Sequence, residues 1–102
     1  MVRLLALYDR PADQSAFDIH YRDVHIPLVK AMPGLRRYTI SRNAVAAGGG
    51  ETFYLAAELD WDDMDALGAA LVSPEGQATT ADLAVLVPDG GVRSMIFEVE
   101  TL

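Results

Sequence analysis

Apolar residues change their period along this chain in a set succession, and that succession constrains the fold more than any other feature. Val2 to Tyr8 is apolar on both alternating faces apart from Arg3, which predicts a central strand ended by Asp9-Arg10-Pro11. From Gln14 the spacing lengthens. Phe17, Tyr21, Val24 and Leu28 form one helical stripe behind a cap at Asp13 or Ser15. Pro27 lacks an N–H and clashes with the preceding turn, so the helix is expected to kink there, or to stop near Val24 and restart with Pro27 in a new first turn. Pro33-Gly34 closes the segment. Leu35 to Val45 reads as a second strand, with Tyr38, Thr39 and Ile40 favouring extended backbone. Ala46-Ala47-Gly48-Gly49-Gly50 reads as a hairpin loop and not a phosphate cradle, because a strand follows it where a cradle needs a helix. Thr52 to Leu59 is the third strand. Asp60 or Asp62 is the expected cap of a helix whose inner stripe is Met64, Leu67 and Leu71. Ser73-Pro74-Glu75 starts again, and Ala78 to Leu86 reads as a short helix running into irregular or extended chain. Pro88-Asp89-Gly90-Gly91 turns the chain into a last strand, Val92 to Glu100.

Strand, helix, two strands, helices and a final strand is the ferredoxin-like order of an α+β domain: a four-stranded antiparallel sheet with helices on one face. One such domain occupies residues 1–102. The uncovered face is expected to carry part of a set comprising Leu5, Leu7, Tyr38, Ile40, Phe53, Tyr54, Met95 and Phe97. An apolar sheet face left in water is costly, so a second copy is expected on it. A homodimer would hold a pocket between sheet and helix or between subunits.

Charge removes several classes of function. Eight Lys and Arg stand against fifteen Asp and Glu, a net charge of −7. Such a chain repels phosphate backbones, and Arg36, Arg37 and Arg42 do not make a nucleic-acid groove. There is no cysteine, which excludes disulfides and thiolate chemistry. The opening apolar run is too short for a leader or a membrane span, so a cytoplasmic protein with no membrane partner is expected. His20 and His25 would point about 140° apart on an ideal helix. No metal and no cofactor are therefore expected. His20 reads as a surface residue or a dimer contact. Neither a nucleophile elbow nor a nucleotide loop is present.

The stretch Phe17 to Tyr38 contains an aromatic, then Tyr21, His25-Ile26-Pro27-Leu28, Pro33-Gly34-Leu35 and Tyr38. It resembles the EthD family, named after a protein of ethyl tert-butyl ether degradation. Ser73-Pro74-Glu75-Gly76 and Asp82 are similar to that family's later part. The resemblance implies a dimeric α/β-barrel built from ferredoxin-like subunits. It also implies kinship with a superfamily of cofactor-free monooxygenases, muconolactone isomerases, polyketide cyclases and dye- and haem-handling proteins. Fold does not choose among these.

His25 and Tyr21 are the candidate catalytic residues. Imidazole exchanges protons near neutral pH, and Tyr21 lies one turn earlier, so the pair can take a proton from a phenol or lactone and hold the oxyanion. The competing reading makes His25 a cap on backbone carbonyls at Pro27 and Tyr21 a core residue. Tyr38, Arg36 and Asp82 are the candidate substrate-binding residues, Arg36 as a clamp for carboxylate or phenolate. Arg36 can equally serve an ion pair between subunits. Three functions stay open on the sequence. One is a cofactor-independent catalyst of proton abstraction on an aromatic, polyketide-like or lactone substrate. The second is a binding or accessory protein for a small apolar or aromatic ligand, and the third a structural dimer without a pocket.

Overall fold

A computed structural model describes residues 1–43 and 45–102. In chain order the elements are β1 (Val2–Tyr8), α1 (Gln14–His20), a π-helical segment (Tyr21–His25), α2 (Ile26–Lys30), β2 (Arg37–Ile40), β3 (Val45–Ala46), β4 (Thr52–Phe53), β5 (Leu55–Trp61), α3 (Met64–Val72), α4 (Pro74–Leu86) and β6 (Val92–Glu98). Four strands form one antiparallel sheet in the order β2-β5-β1-β6. Val2 pairs with Trp61 on one side and Glu98 on the other, and Tyr8 with Leu55 and Val92. This is the ferredoxin-like α+β arrangement.

The closed barrel implied by the family resemblance is not formed. The sheet is open, and β2 and β6 stand at opposite ends of the strand order with no pairing between them. Barrel closure needs strands enough to bring the two edges together, and four twisted strands do not supply them.

Alternation along the strands decides which side chains meet the helices. Val2, Ala6 and Tyr8 of β1 and Ala57, Leu59 and Trp61 of β5 are buried on the helix side, against Phe17, Tyr21, Val29, Met32, Leu67, Ala70 and Leu86. Trp61 is wholly buried, and its Nε1 donates to the Pro33 carbonyl at 3.0 Å. Tyr38 and Ile40 lie opposite Leu59 and Ala57 and share that helix side, not the open face expected for them. The open face carries Leu5 and Leu7 with Met95 and Phe97 of β6, the last two being exposed.

The first helical stretch does not stop near Val24; it widens, and α2 then starts with Pro27 in its first turn, as one of the two expected alternatives had it. Asp13 caps α1, accepting from Ala16 N–H at 3.0 Å. Over Tyr21–His25 the helix becomes a π turn, with Ile26 N–H donating to the Tyr21 carbonyl, and Pro27 then sits in the first turn of α2. The physical reason is the proline. It cannot donate, and its ring would strike the carbonyl four residues back; one wide turn relieves the clash without ending the helix. The same widening shifts the buried stripe. Phe17, Tyr21, His25 and Val29 are buried, whereas Val24 is exposed.

Both middle strands are shorter than the sequence predicts. β2 ends at Ile40, and a separate hairpin arm, β3 with β4, follows. Position Ala44, inside the expected strand, lies outside the described residues. The break at Tyr54 has its cause across the sheet, since its N–H donates to the Tyr8 carbonyl at 2.8 Å and leaves the hairpin ladder. Asp63 caps α3 in place of Asp60 or Asp62, and Met64 is exposed while Ala70 fills the core. Ser73 caps α4, which runs unbroken from Pro74 to Leu86 and packs along α2 and the π segment. Gly76 makes the α3–α4 junction fit, because a Cβ there would lie 2.0 Å from the Ala70 carbonyl oxygen.

Candidate active site

The π turn sets the site. Residues five apart are nearly in line where hydrogen bonds run i to i+5. His20 and His25, which diverge on a regular helix, both reach Asp82 of α4. His20 Nε2 lies 2.8 Å from Asp82 Oδ1, and His25 Nδ1 lies 2.9 Å from Asp82 Oδ2. Burial pushes the Asp82 carboxyl up, but hydrogen bonds from His25 and His20 and their charges outweigh it, and the group is held below the usual carboxylate range. An ionised carboxylate only accepts, so each ring nitrogen facing it carries the proton. His25 is thereby fixed as the Nδ1–H tautomer with Nε2 as its basic nitrogen.

Burial lowers the pKa of His25, against the opposing pull of Asp82. The imidazole is neutral at pH 7 and able to accept a proton. Its Nε2 has no hydrogen bond among the described residues, nor has the Tyr8 hydroxyl, yet no buried side-chain nitrogen or oxygen is left unpartnered. Both atoms therefore meet space that a solvent-sized molecule can enter.

A cluster of tyrosines adjoins this histidine through the Tyr21 ring. Tyr21 stacks near Phe17, meets Tyr8 edge-on at 5.8 Å between ring centroids, and lies 5.3 Å from the His25 ring. Its hydroxyl shares a 2.6 Å hydrogen bond with that of Tyr38. Burial raises the pKa of Tyr8, Tyr21 and Tyr38 alike, so all three stay protonated and act as donors, not bases.

His25, Tyr21, Tyr38 and Asp82, chosen from the sequence, thus come together. Arg36 does not join them. Its guanidinium is exposed and forms a two-point ion pair with Asp62, both contacts 2.9 Å. His20 is partly exposed, as a surface residue would be, but its contact with Asp82, sixty-two positions away, was not foreseen. Tyr8 was read only as a strand end. Among the described residues no group of three or more His, Asp or Glu is arranged to hold a metal.

Two clefts flank α1. One of about 450 Å³ lies between the Asp9–Asp13 loop and the end of α4 and is bordered by His20, Phe17 and Leu86. The other, about 310 Å³, is bordered by Tyr21, Phe17 and Tyr54. His25 borders neither.

A four-stranded antiparallel sheet of this order with helices on one face defines a ferredoxin-like α+β domain. The EthD domain model matches residues 9–90, and the chain belongs to the EthD family. It is 38% identical to an ethyl tert-butyl ether degradation (EthD) family protein from Bacillus halodurans, covering 98% of this chain and 99% of that one, with a TM-score of 0.87. It is 35% identical, over 100% of this chain and 98% of the relative, to an uncharacterized 11.0 kDa protein of the thcB-thcC intergenic region in Rhodococcus erythropolis. At the level of fold alone it is similar to a dimeric ferredoxin-like protein of unknown function from Thermobifida fusca (20% identity, 96% and 90% covered, TM-score 0.71). It is likewise similar to SnoaB, a cofactor-independent oxygenase from Streptomyces nogalater (18%, 99% and 94% covered, TM-score 0.66). No helix among the described residues is long and apolar enough to cross a membrane.

Proposed function

We propose that this chain is a small cofactor-independent catalyst that removes a proton from an aromatic, polyketide-like or lactone substrate. The observation that carries this reading is the His25–Asp82 pair, which leaves a neutral imidazole with Nε2 free beside protonated phenols. His25 Nε2 takes the proton. Asp82 holds the ring and stabilises the imidazolium that results. Tyr21, paired with Tyr38, donates to the enolate or phenolate oxygen as charge develops there. The fold-level likeness to a cofactor-independent oxygenase supports this class of chemistry without naming the substrate. A second reading, a binding or accessory protein, is favoured by one fact: His25 borders neither cleft.

The assembly in this proposal is a homodimer whose contact is the open face around Leu5, Leu7, Met95 and Phe97. Its support is the exposure of Met95 and Phe97 and the dimeric ferredoxin-like relative.

Proton abstraction is tested by exchange. An anthrone, a resorcinol and an unsaturated γ-lactone are held in D₂O with protein, and loss of the acidic C–H signal is followed by NMR. The expected result is faster exchange of at least one compound with the wild type, lost in His25→Ala. Exchange at the buffer rate for all three, with saturable binding retained by His25→Ala, establishes the binding reading instead.

A further inference from the structure

The 310 Å³ cleft has an unusual charge for this chain. Arg10 follows β1, Arg22 lies in the π segment and Arg42 follows β2, and all three border it. The chain as a whole carries −7. Arg3, Arg36, Arg37 and Arg93 are each tied to carboxylates. Among the described residues Arg10, Arg22 and Arg42 have no such partner within ion-pair distance. The cleft's one bordering carboxylate, Asp18, is engaged by the Tyr54 hydroxyl at 2.8 Å.

Three like charges gathered from separate stretches repel one another, and an arriving anion removes that repulsion. The cleft's lining is more polar than apolar, and three aromatic side chains border it: Phe17 and Tyr21, both largely buried, stack at 5.7 Å between centroids, and Tyr54 meets Phe17 edge-on at 5.5 Å. Burial raises the Tyr21 and Tyr38 hydroxyls, and Arg22 stands close enough for its charge to act against that rise. The cleft and the phenol pair adjoin through Tyr21, which borders the cleft and shares its hydroxyl hydrogen bond with Tyr38. Guanidinium forks suit carboxylate and phenolate oxygens, and arginine also stacks on ring faces. A volume of about 310 Å³ is at the lower end of small-molecule sites.

We infer that this cleft binds a one- or two-ring aromatic anion, its ring against Phe17, Tyr21 and Tyr54 and its carboxylate or phenolate among Arg10, Arg22 and Arg42. This rests on the reading of Tyr21 as a residue that meets the substrate, and it narrows that substrate to an anionic class. It also replaces Arg36 as the clamp.

The test is calorimetry with 2-naphthoate, its neutral counterpart 2-naphthalenemethanol and inorganic phosphate, with amide NMR shifts locating each. The expected result is that 2-naphthoate binds and shifts Arg22, Ser41 and Tyr54. Its affinity should fall at least tenfold in the double variant Arg22→Gln/Arg42→Gln and less than twofold in Lys30→Gln, which loses one charge elsewhere. The double variant Arg22→Lys/Arg42→Lys, which keeps the charge, should fall between. Equal binding of the neutral compound, unaffected by the arginine variants, overturns the anionic inference while the small-molecule reading stands. Phosphate binding as tightly as 2-naphthoate overturns the aromatic part. No shift at the cleft with any of the three overturns the inference and the role of Tyr21 together.

Discussion

Asp82 joins two histidines of unequal burial, and that inequality predicts how its energy is divided. The His25 side chain is 4% exposed and the His20 side chain 26%. Removing the carboxylate in Asp82→Ala strands the buried Nδ1–H of His25, a loss of about 1–3 kcal/mol. Water reaches His20 and replaces its acceptor, so that half is worth less than about 1 kcal/mol. Together the variant should lose about 1–4 kcal/mol, roughly 5–30 °C in Tm for a domain this small. Double-mutant cycles separate the two contacts, because cavity effects of each single change cancel. The coupling of Asp82 with His25 should be about 1.5–3 kcal/mol, and that with His20 at most about 1 kcal/mol. The assay is urea unfolding read by Trp61, the one tryptophan and wholly buried, at fixed protein concentration. A His20 coupling equal to or larger than that of His25 refutes the reasoning, since burial would then not decide which contact matters.

Three other outcomes are expected. Gly76→Ala places a methyl 2.0 Å from the Ala70 carbonyl oxygen, backbone that cannot swing aside, and should lose about 3 kcal/mol or more by thermal denaturation; a loss under 1 kcal/mol would mean α3 and α4 separate freely. The lowered pKa of His25 means the unfolded chain binds more protons near neutrality, so its share of stability is complete above the unfolded value of 6.5 and is lost as pH falls through the folded value. A Tm profile should decline below pH 6.5 in wild type and less in His25→Gln, with a further decline at lower pH in both where other carboxylates titrate; identical profiles above pH 5 would count against a buried neutral imidazole. Phe97→Glu on the open face should raise the monomer fraction in sedimentation without unfolding the chain, and an unchanged distribution places any dimer contact elsewhere.

The strand and helix succession was legible because burial imposes its period on residue type. Asp13 and Ser73 declared their helices for a local reason as well, since a short side-chain oxygen must satisfy the first free N–H groups. Strand lengths were not legible, because they are decided across the sheet. Tyr54 belongs to an unbroken extended pattern, yet its N–H turns to Tyr8, forty-six positions earlier, and ends the hairpin arm. No local property of Thr52 to Leu59 announces that partner.

The site divides in the same way. Tyr21, His25, Tyr38 and Asp82 were visible as residue types able to move or hold protons, but Arg36 was chosen by strand parity, which says which face a residue takes and nothing of what waits there. Asp62 waits beside it. The geometry that joins His20 to His25 did leave a trace. Two histidines five apart, with a proline two residues beyond the second, are an incongruous pair on a regular helix. They become congruous once the proline requires a wider turn before it. The feature that seemed to argue for a broken helix instead turns His25 inward, exposes Val24, and lets one carboxylate on a distant helix hold both rings. Helical distortion, proton chemistry and the buried stripe therefore have a common origin in Pro27, and the spacing of the two histidines is intelligible only with that residue in view.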